Sequence, residues 1–368
     1  MSDYFIGLIS GTSSDGVDAA VVEFSRPPRL YASYFLPYPA PLRKQLLEFA
    51  SGQYQGDAID QLGKLDHELG GLFALAALEV LKQSKLSACD IRAIGSHGQT
   101  VRHHPAGAHP FSLQIADPNP IAARTGITTV ADFRRRDLAL GGQGAPLVPA
   151  FHRAAFADRE ETRAVVNIGG IANLTLLPAK DGPVSGFDIG PGNLLMDLWS
   201  REQLHAPHDE DGAFAASGHV IEPLLQISLA DEYFQRPAPK STGPEYFNRT
   251  WFTQKLSGRK PSAADVMATL CELTARSIAE AVSRQTPQVA RVLLCGGGVH
   301  NGHLRKRLAV LLPKCALATT GDFGVPPDWV EAAAFAWLAR ETLAGRPGNL
   351  PAVTGAHEPA VLGAVYHA

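Results

Sequence analysis

The stretch Val184-Ser-Gly-Phe-Asp-Ile-Gly-Pro-Gly-Asn193 decides the fold of this chain. A short apolar run ends in a single carboxylate, Asp188, and the backbone then turns through glycine and proline into a helical pattern that begins near Leu194. Glycines let main-chain N–H groups approach a ligand closely, and a carboxylate at a strand end points into the space above the sheet. The stretch therefore predicts a strand, a turn that faces phosphate and a catalytic base at Asp188. A helix cap is the alternative role for the same carboxylate.

The segments around this stretch repeat the beginning of the chain. Residues 164–168 and 171–177 are predicted strands joined by the tight turn Gly169-Gly170, with Asn167 just before it, and the strand that ends at Asp188 follows. Residues 4–10, 17–24 and 30–36 are also β-rich runs, and a glycine-rich loop joins the first two. Both halves thus begin with a three-strand meander whose first turn is rich in glycine. This pattern predicts two related α/β domains that each offer a glycine turn to a shared cleft for nucleotide phosphates.

The first of these turns is Gly11-Thr12-Ser13-Ser14-Asp15-Gly16, followed by Val17 and Asp18. Small hydroxyl residues between glycines supply N–H and O–H donors that suit a phosphate, and the Asp15 carboxylate is near enough to hold a metal through water. A polar hairpin loop without a ligand is the alternative.

A third glycine turn lies in the C-terminal half. An amphipathic helix over residues 264–284 leads to a strand over 291–294, to Cys295-Gly296-Gly297-Gly298 and to a helix over 301–312. A strand, a triple glycine and a helix N-terminus together allow close approach of a flat or charged ligand. Beyond them, Asp328 and Glu331 precede a helix over 332–343, where a capping box is the alternative to a role in the site.

Polar residues also follow the predicted strand 91–95, in Ser96-His97-Gly98-Gln99-Thr100. Such residues at a strand's C-terminal edge are typical of ligand sites. The other histidines of this region, His103, His104 and His109, have no carboxylate or thiolate partners at ligand spacing, so only His97 is a site candidate.

Asp132-Phe-Arg-Arg-Arg-Asp137 predicts a solvated basic surface, with one arginine reaching a substrate anion as the alternative. Gly141-Gly-Gln-Gly144 then indicates a hinge. We accordingly expect an N-terminal domain over residues 1–138, a C-terminal domain over 139–354, and a tail over 355–368 that packs back on the first domain.

Composition excludes several classes of protein. The 368 residues carry 33 basic and 36 acidic side chains, a net charge of -3, so no broad positive field is available for nucleic acid or an anionic membrane. No segment reaches the roughly 18 apolar residues of a membrane span, and the N-terminus has no basic and apolar leader pattern. Four cysteines without ligand spacing are expected to be buried and reduced. A cytoplasmic protein with a small-molecule partner is the expectation.

The motifs resemble those of the anhydro-N-acetylmuramic acid kinase family, in order and spacing, from residue 5 to Val361-Leu-Gly-Ala364. They are Gly7-Leu-Ile-Ser-Gly-Thr-Ser-Ser-Asp-Gly-Val-Asp18, Gly95-Ser-His-Gly-Gln-Thr100, Ala131-Asp-Phe-Arg-Arg-Arg-Asp137, Gly141-Gly-Gln-Gly-Ala-Pro-Leu-Val-Pro149, Asn167-Ile-Gly-Gly170, Gly186-Phe-Asp-Ile-Gly-Pro-Gly-Asn193 and Cys295-Gly-Gly-Gly298.

The resemblance implies a fold of two duplicated ribonuclease H-like domains of the actin, hexokinase and heat-shock ATPase type, flanking a nucleotide cleft. It implies ATP and Mg²⁺ as cofactors, a homodimer, and 1,6-anhydro-N-acetylmuramic acid as substrate, opened hydrolytically and phosphorylated on O6 in peptidoglycan recycling. Asp188 is then the base, and His97, Gln99, Arg136 and Glu331 contact the sugar. The implied ATP-binding residues are Gly11, Thr12, Ser13, Ser14, Asp15, Gly16, Val17, Asp18, Asn167, Gly169, Gly170, Gly296, Gly297 and Gly298.

Two other classes share such a fold. A nucleotide-driven switch or chaperone normally carries a further partner-binding module, which is not expected in a chain that stops at Ala368. A kinase for a different sugar or acid is the stronger alternative.

Overall fold

The computed structural model describes residues 3–11, 13–238, 240–258 and 261–368. The strands of these residues are β1 (Tyr4–Ser10), β2 (Gly16–Glu23), β3 (Arg29–Pro37), β4 (Ile91–His104), β5 (Phe111–Ile115), β6 (Thr129–Ala131), β7 (Arg163–Ile168), β8 (Ile171–Leu177), β9 (Ser185–Pro191), β10 (Arg291–Cys295), β11 (Ala316–Thr319) and β12 (Ala364–Tyr366).

The α-helices of the same residues lie between groups of strands. They are α1 (Ala40–Ser51), α2 (Ala58–Ser84), α3 (Pro118–Thr125), α4 (Arg135–Ala139), α5 (Val148–Phe156), α6 (Leu194–Gln203), α7 (Ala213–Ser217), α8 (Glu222–Leu229), α9 (Glu232–Gln235), α10 (Arg249–Leu256), α11 (Ala263–Ser283), α12 (Gly302–Leu311), α13 (Val330–Leu343) and α14 (Pro351–Thr354).

The chain divides into two compact units. The first contains Met1–Ala155, Phe323–Val325 and Trp329–Ala368, and the second contains Phe156–Asp322 and Pro326–Asp328. This division differs from the expected boundary at residue 138 and the expected return at residue 355. The glycines at 141–144 belong to the first unit because Asp137 accepts a hydrogen bond from the main-chain N–H of Gly144 at 2.8 Å, and α13 lies on the sheet of that unit.

The sheet of the first unit has its strands in the order β12-β6-β4-β1-β2-β3, with β5 paired to β4. Strand β1 is parallel to β4 and antiparallel to β2, β4 is parallel to β6, and β2 is antiparallel to β3. The long helix α2 packs on this sheet through an apolar stripe that includes Leu65, Leu69 and Phe73. The Asp57 side chain caps α2 by accepting from the N–H groups of Ile59 and Asp60.

The sheet of the second unit repeats the arrangement of the first. Its order is β11-β10-β7-β8-β9, with β7 parallel to β10, β10 parallel to β11, and β8 antiparallel to both of its neighbours. In both units the third, second and first strands of the meander are neighbours in that order. Two further strands, both parallel to the first strand, then extend the sheet on its other side. This is the ribonuclease H-like topology, so the predicted duplication is confirmed. Helix α11 fills much of the second unit's core.

A pair of glycines seats helix α13 against the first sheet. Gly7 of β1 and Gly95 of β4 are neighbours across the parallel ladder. A Cβ on Gly7 would collide with the carbonyl oxygen of Ala332, and one on Gly95 with that of Phe335. The absence of both side chains lets the helix backbone approach the sheet, which places the first turn of α13 next to the residues that follow Gly95.

Two local predictions require correction. Strand β4 does not end at Gly95 but continues to His104, so His97, His103 and His104 lie in a strand rather than in loops. Strand β9 likewise continues through Asp188 to Pro191. In each case a neighbouring strand, β5 or β8, supplies hydrogen-bond partners that extend the ladder. No helix of the described ranges is both long and apolar enough to cross a membrane.

Candidate active site

The glycine turn of the second unit is tied to the start of α6. The N–H of Asn193 donates to the carbonyl of Gly169 at 2.8 Å, and that of Gly192 to the carbonyl of Gly170 at 2.9 Å. The Asn193 amide also donates to the carbonyl of Ile168 at 3.1 Å. A trans peptide holds its C=O and the next N–H on opposite sides. The N–H of Gly170 therefore points away from α6, where it is available to an anion.

Four of the predicted ligand glycines have room for a side chain. A Cβ on Gly11 would lie 3.8 Å from the Ser13 hydroxyl, one on Gly169 3.5 Å from the Ile171 carbonyl oxygen, and one on Gly170 4.0 Å from Leu194. Gly297 has open space within 4 Å of its Cβ position among the described residues. None of these glycines has the left-handed φ that only glycine adopts readily. The fold does not require glycine at these positions, as expected where a ligand needs the space.

Other predicted ligand glycines are required by packing. A Cβ on Gly16 would collide with the Leu36 carbonyl oxygen, one on Gly296 with the Asn167 side chain, and one on Gly298 with Ile168. Gly296 also has φ +79°. Asn167, at the end of β7, thus lies against the triple-glycine turn, and of that turn only Gly297 keeps open space at its Cβ position.

The turn of the first unit is held from outside by an arginine of α1. The Arg43 guanidinium donates to the carbonyl oxygens of Ser14 at 3.2 Å and Ser13 at 3.3 Å. Within the turn, the Ser13 hydroxyl donates to Asp15 at 2.7 Å, and the N–H of Ser14 donates to the Gly11 carbonyl at 3.1 Å. The Asp15 carboxylate is exposed to solvent. Thr12, which was predicted to bind ATP, lies outside the described residues.

Two residues near this turn differ from their predicted roles. The Val17 side chain is fully buried in the core, so it has no face toward a ligand, whereas Asp18 is half-buried. Gln99 was predicted to contact the sugar, but its amide is engaged by the turn itself. It accepts from the Ser10 hydroxyl at 2.6 Å and donates to the Gly11 carbonyl at 3.2 Å. Gln99 therefore helps to hold the glycine turn that begins at Gly11.

Asp188 stands at an irregularity in β9. It faces Asn173 of β8, whereas Gly190 faces Ala172, so Ile189 is an extra residue that bulges from the ladder. The Asp188 carboxylate accepts the main-chain N–H of Thr242 at 3.1 Å. The N-cap residue of α6 is instead Asn193, and no side chain caps the helix. The helix-cap alternative for Asp188 is therefore wrong.

The surroundings of Asp188 favour a proton acceptor. Burial raises the pKa of its carboxyl above the ordinary value, and the nearby Glu245 acts in the same direction. The hydrogen bond from Thr242 opposes them. A raised pKa brings a carboxylate closer to the working range of a general base at neutral pH.

His97 forms a buried pair with Arg134. The Arg134 guanidinium donates to Nε2 of His97 from Nε at 3.0 Å and from Nη2 at 2.8 Å. Nδ1 of His97 lies 2.9 Å from the Gly98 carbonyl, which identifies Nδ1 as the protonated nitrogen of a neutral ring. Burial and Arg134 both keep the pKa of His97 well below its ordinary value. The ring also lies on Phe335 of α13, with centroids 4.5 Å apart.

Arg134 is the arginine of its motif that contacts His97. Its Nη1 donates to the Gly144 carbonyl at 2.7 Å, and burial lowers its pKa to about 10. Arg136, which was predicted to meet the substrate, is exposed, and Arg135 forms an ion pair with Asp132 at 3.4 Å. The sequence leaves open which of the three consecutive arginines meets a substrate anion, because nothing in the motif distinguishes them.

Glu331 lies in the first turn of α13, near Arg134. Its carboxylate is accessible to solvent but surrounded by protein, and this desolvation raises its pKa, whereas the attraction of Arg134 lowers it. The capping-box alternative is wrong, because Trp329 is the N-cap residue and no side chain caps the helix. Asp328 instead pairs with His300 at 2.8 Å.

No group of three or more metal-ligating side chains occurs among residues 3–11, 13–238, 240–258 and 261–368. The cysteines were expected to be buried, but Cys89 is exposed at the short turn before β4.

The duplicated ribonuclease H-like fold, with its glycine turns and a half-buried carboxylate, is compatible with a phosphotransferase. A family model described as anhydro-N-acetylmuramic acid kinase matches residues 3–368. The chain belongs to this family.

Relatives described by the same name are similar over their whole length. One from Coxiella burnetii (strain Dugway 5J108-111) is 52% identical, covering 98% of this chain and 97% of the relative. One from Xanthomonas axonopodis pv. citri is also 52% identical, covering 100% and 99%. Among solved structures, component A of (R)-2-hydroxyglutaryl-CoA dehydratase from Acidaminococcus fermentans is 12% identical with a TM-score of 0.47, covering 93% of this chain and 100% of that chain.

Proposed function

We propose that this enzyme uses ATP to phosphorylate O6 of 1,6-anhydro-N-acetylmuramic acid while water opens the anhydro bridge, giving N-acetylmuramic acid 6-phosphate. The observation that carries the proposal is the state of Asp188, a desolvated carboxylate that does not cap the neighbouring helix. The family membership supports the choice of substrate. The proposal places the enzyme in the cytoplasm, as a homodimer, in peptidoglycan recycling.

The proposed reaction follows from the chemistry of the substrate. O6 is bonded to C1, so the sugar has no free 6-hydroxyl to deprotonate. Water attacks C1 while Asp188 takes its proton, the C1–O6 bond breaks, and the released O6 attacks the γ-phosphorus. ADP departs with the electron pair of the broken P–O bond, and the product carries a new hydroxyl on C1. General-base catalysis contributes on the order of 10² to 10⁴ to such a rate.

ATP is proposed to enter with Mg²⁺ as its bound cation. Gly11 and Ser13 of one turn and Gly169 and Gly170 of the other supply main-chain donors for its phosphates. The exposed carboxylate of Asp15 fits a water-mediated contact with Mg²⁺, which prefers to keep several waters. Open space at Gly297 suits the adenosine moiety.

The sugar is proposed to meet the group around Arg134. The guanidinium has N–H donors left after its bonds to His97 and Gly144, and a cation held in this way suits the lactyl carboxylate. The carboxylate of Glu331 accepts hydrogen bonds from sugar hydroxyls.

An isotope experiment tests the coupling of the two bond changes. Reaction in ¹⁸O-labelled water should place the label on the C1 hydroxyl, while the phosphoester oxygen and inorganic phosphate stay unlabelled. Product made in ordinary water and then transferred corrects for exchange of the anomeric hydroxyl. Without ATP no opened sugar should accumulate, because O6 is a poor leaving group unless its developing charge is captured. Ring opening without nucleotide would refute the concerted reaction.

Substrate panels and one substitution separate this proposal from its alternatives. Turnover with another sugar or acid, but not with the anhydro-muramic substrate, would favour a different kinase of this fold. Asp188→Asn keeps the shape of the side chain but cannot accept a proton, so turnover should fall on the order of 10² to 10⁴ while ATP binding persists. Asp181→Asn, an exposed carboxylate of the same unit, is the matched control and should be active.

A further inference from the structure

Three residues of the segment after α8 form hydrogen bonds with Asp188. The N–H of Asp188 donates to the Lys240 carbonyl at 3.0 Å, and the Tyr233 hydroxyl donates to the Asp188 carbonyl at 2.8 Å. The N–H of Thr242 donates to the side-chain Oδ2 at 3.1 Å. The main-chain N–H, the main-chain carbonyl and one carboxylate oxygen of Asp188 are thus bound by Lys240, Tyr233 and Thr242, and Oδ1 receives no donor from the described residues.

The two ends of this segment meet on one buried carboxylate. Oδ1 of Asp231 accepts the N–H of Tyr233 at 3.1 Å and the hydroxyl of Tyr246 at 2.7 Å. Its Oδ2 accepts from the Trp251 indole at 2.9 Å and from the Lys255 ammonium at 2.9 Å. Asp231 therefore closes a loop whose stem is Tyr233 and Tyr246, and α10 anchors that stem.

Ring contacts stiffen the same loop. The Tyr233 ring is fully buried and lies 5.4 Å from Phe247 and 5.7 Å from Tyr246. The Lys240 ammonium lies 4.6 Å from the centre of the Tyr233 ring and donates to the Tyr233 carbonyl at 3.1 Å. A loop restrained by these hydrogen bonds and ring contacts can hold the Asp188 side chain in one geometry.

We propose that residues 231–238 and 240–246 form a clamp that positions Asp188 for proton abstraction, with Asp231 closing its stem and Tyr233, Thr242 and Glu245 acting on Asp188. The clamp leaves Oδ1 for the proton of the attacking water. This inference rests on the proposed function, because a base is needed only if water is activated. Asp231, Tyr233, Thr242 and Glu245 are positioning residues, since none is assigned a contact with substrate.

The charges that face Asp188 give the clamp an electrostatic role as well. Glu245 raises the pKa of Asp188, and the Thr242 N–H lowers it. Tyr233 is neutral there, because burial and Asp188 raise the pKa of its phenol far above the ordinary value. The Arg236 guanidinium and the Lys240 ammonium lie over the Tyr233 ring, and the Lys240 ammonium also lies over the ring of Phe187, the residue before Asp188.

The first experiment removes one hydroxyl. Tyr233→Phe keeps the ring and its contacts but loses the bond to the Asp188 carbonyl. Misplacement of a catalytic group by about 1 Å costs up to roughly 10²-fold in rate, so kcat should fall about 10- to 100-fold while the KM for ATP stays within about twofold. Tyr54→Phe, the same change in the other unit, should leave kcat unchanged. Unchanged kcat in Tyr233→Phe would overturn the clamp.

The second experiment reads Asp188 directly and does not depend on turnover. With ¹³C-labelled aspartate, the Asp188 carboxyl is assigned as the resonance missing from Asp188→Asn, and its titration is followed by NMR. Glu245→Gln should shift that titration, and the acid limb of kcat/KM, to lower pH, because a negative neighbour is removed. A titration that does not move would overturn the clamp. A shifted titration in an enzyme that does not phosphorylate the anhydro sugar would refute the proposed function and leave the clamp standing.

Discussion

At the scale of single residues, two glycines that lie close together, Gly169 and Gly192, differ in the space available for a side chain. Gly169 has room for a Cβ, whereas one on Gly192 would collide with the Gly169 carbonyl oxygen. We therefore propose that Gly169 is glycine because a ligand needs the space beside it, whereas Gly192 is glycine because packing leaves no room for a side chain. The sequence presents both simply as glycines after strands.

Alanine substitutions should separate these two roles. Gly169→Ala should raise the KM for ATP by about tenfold or more, because the added methyl group occupies space meant for phosphate, while the melting temperature without nucleotide changes little. Gly192→Ala should cost roughly 1–3 kcal/mol of stability through overpacking. Steady-state kinetics and thermal unfolding measure the two effects. Equal ATP affinity in a folded Gly169→Ala enzyme would make that turn a simple hairpin corner.

The arginines of residues 134–136 provide a second comparison. Arg134→Ala should raise the KM for the anhydro-muramic substrate by roughly 10- to 150-fold, because a hydrogen bond to a charged group contributes about 1.5–3 kcal/mol. Arg136→Ala, an exposed residue of the same type, should stay within about twofold. An analogue without the lactyl carboxylate should lose this dependence on Arg134. A larger effect for Arg136 would return the assignment to that residue.

At the scale of elements, helix α13 shows how packing places chemistry. The helix approaches β1 and β4 because Gly7 and Gly95 have no side chains, and its first turn then carries Glu331 while Phe335 supports His97. Gly95 was part of a motif interpreted as a ligand site. The absence of a side chain on Gly95 lets α13 come close to the sheet, and this approach brings Phe335 into contact with His97.

The stem of the clamp should make stability depend on pH. Burial raises the pKa of the Asp231 carboxyl, but the hydrogen bonds from its four donors outweigh burial and lower the pKa to about 2. A carboxyl whose pKa is lower in the folded than in the unfolded state stabilises the fold above its unfolded value, and this contribution is lost as pH falls toward the folded value. Between about pH 4 and pH 2, wild type should therefore lose stability faster than Asp231→Asn in urea unfolding. Parallel curves would show that Asp231 titrates alike in both states.

At the scale of the whole molecule, the duplication gives each unit one glycine turn at the same place in the same topology. In both units the turn joins the first two strands of the meander. The three strands pair by short hairpin connections, and the parallel partners of the first strand come from far along the chain. The hairpin of each turn is local, but its supports, Gln99 for the first turn and Asn193 for the second, come from elsewhere in the chain.

If both turns bind phosphate, ATP should protect them together. Hydrogen exchange in peptides that cover Gly11 and Gly169 should slow in both when Mg²⁺ and ATP are added, because the main-chain donors become engaged. The connection between β2 and β3, residues 24–28, serves as the unaffected control. Slower exchange at only one turn would contradict the assignment of a phosphate turn to each unit.

The sequence by itself determined the elements and the candidate base. Alternation of β-rich runs with glycine turns predicted both meanders, and the spacing after residue 184 singled out Asp188, because strand, turn and helix signals are local. What it could not supply were the partners of those residues. Thr242 bonds to Asp188 across 54 residues of chain, and Arg134 to His97 across 37.

Only the tertiary structure decided which residues share a site. It places Arg134 beside His97 and joins the Gln99 amide to the Gly11 carbonyl. It also shows that neither Asp188 nor Glu331 caps a helix. The physical reason is that direction and burial of a side chain depend on the packing of distant elements. Identical residue types in one motif, such as three arginines in a row, are distinguished only when a helix or strand from elsewhere meets one of them.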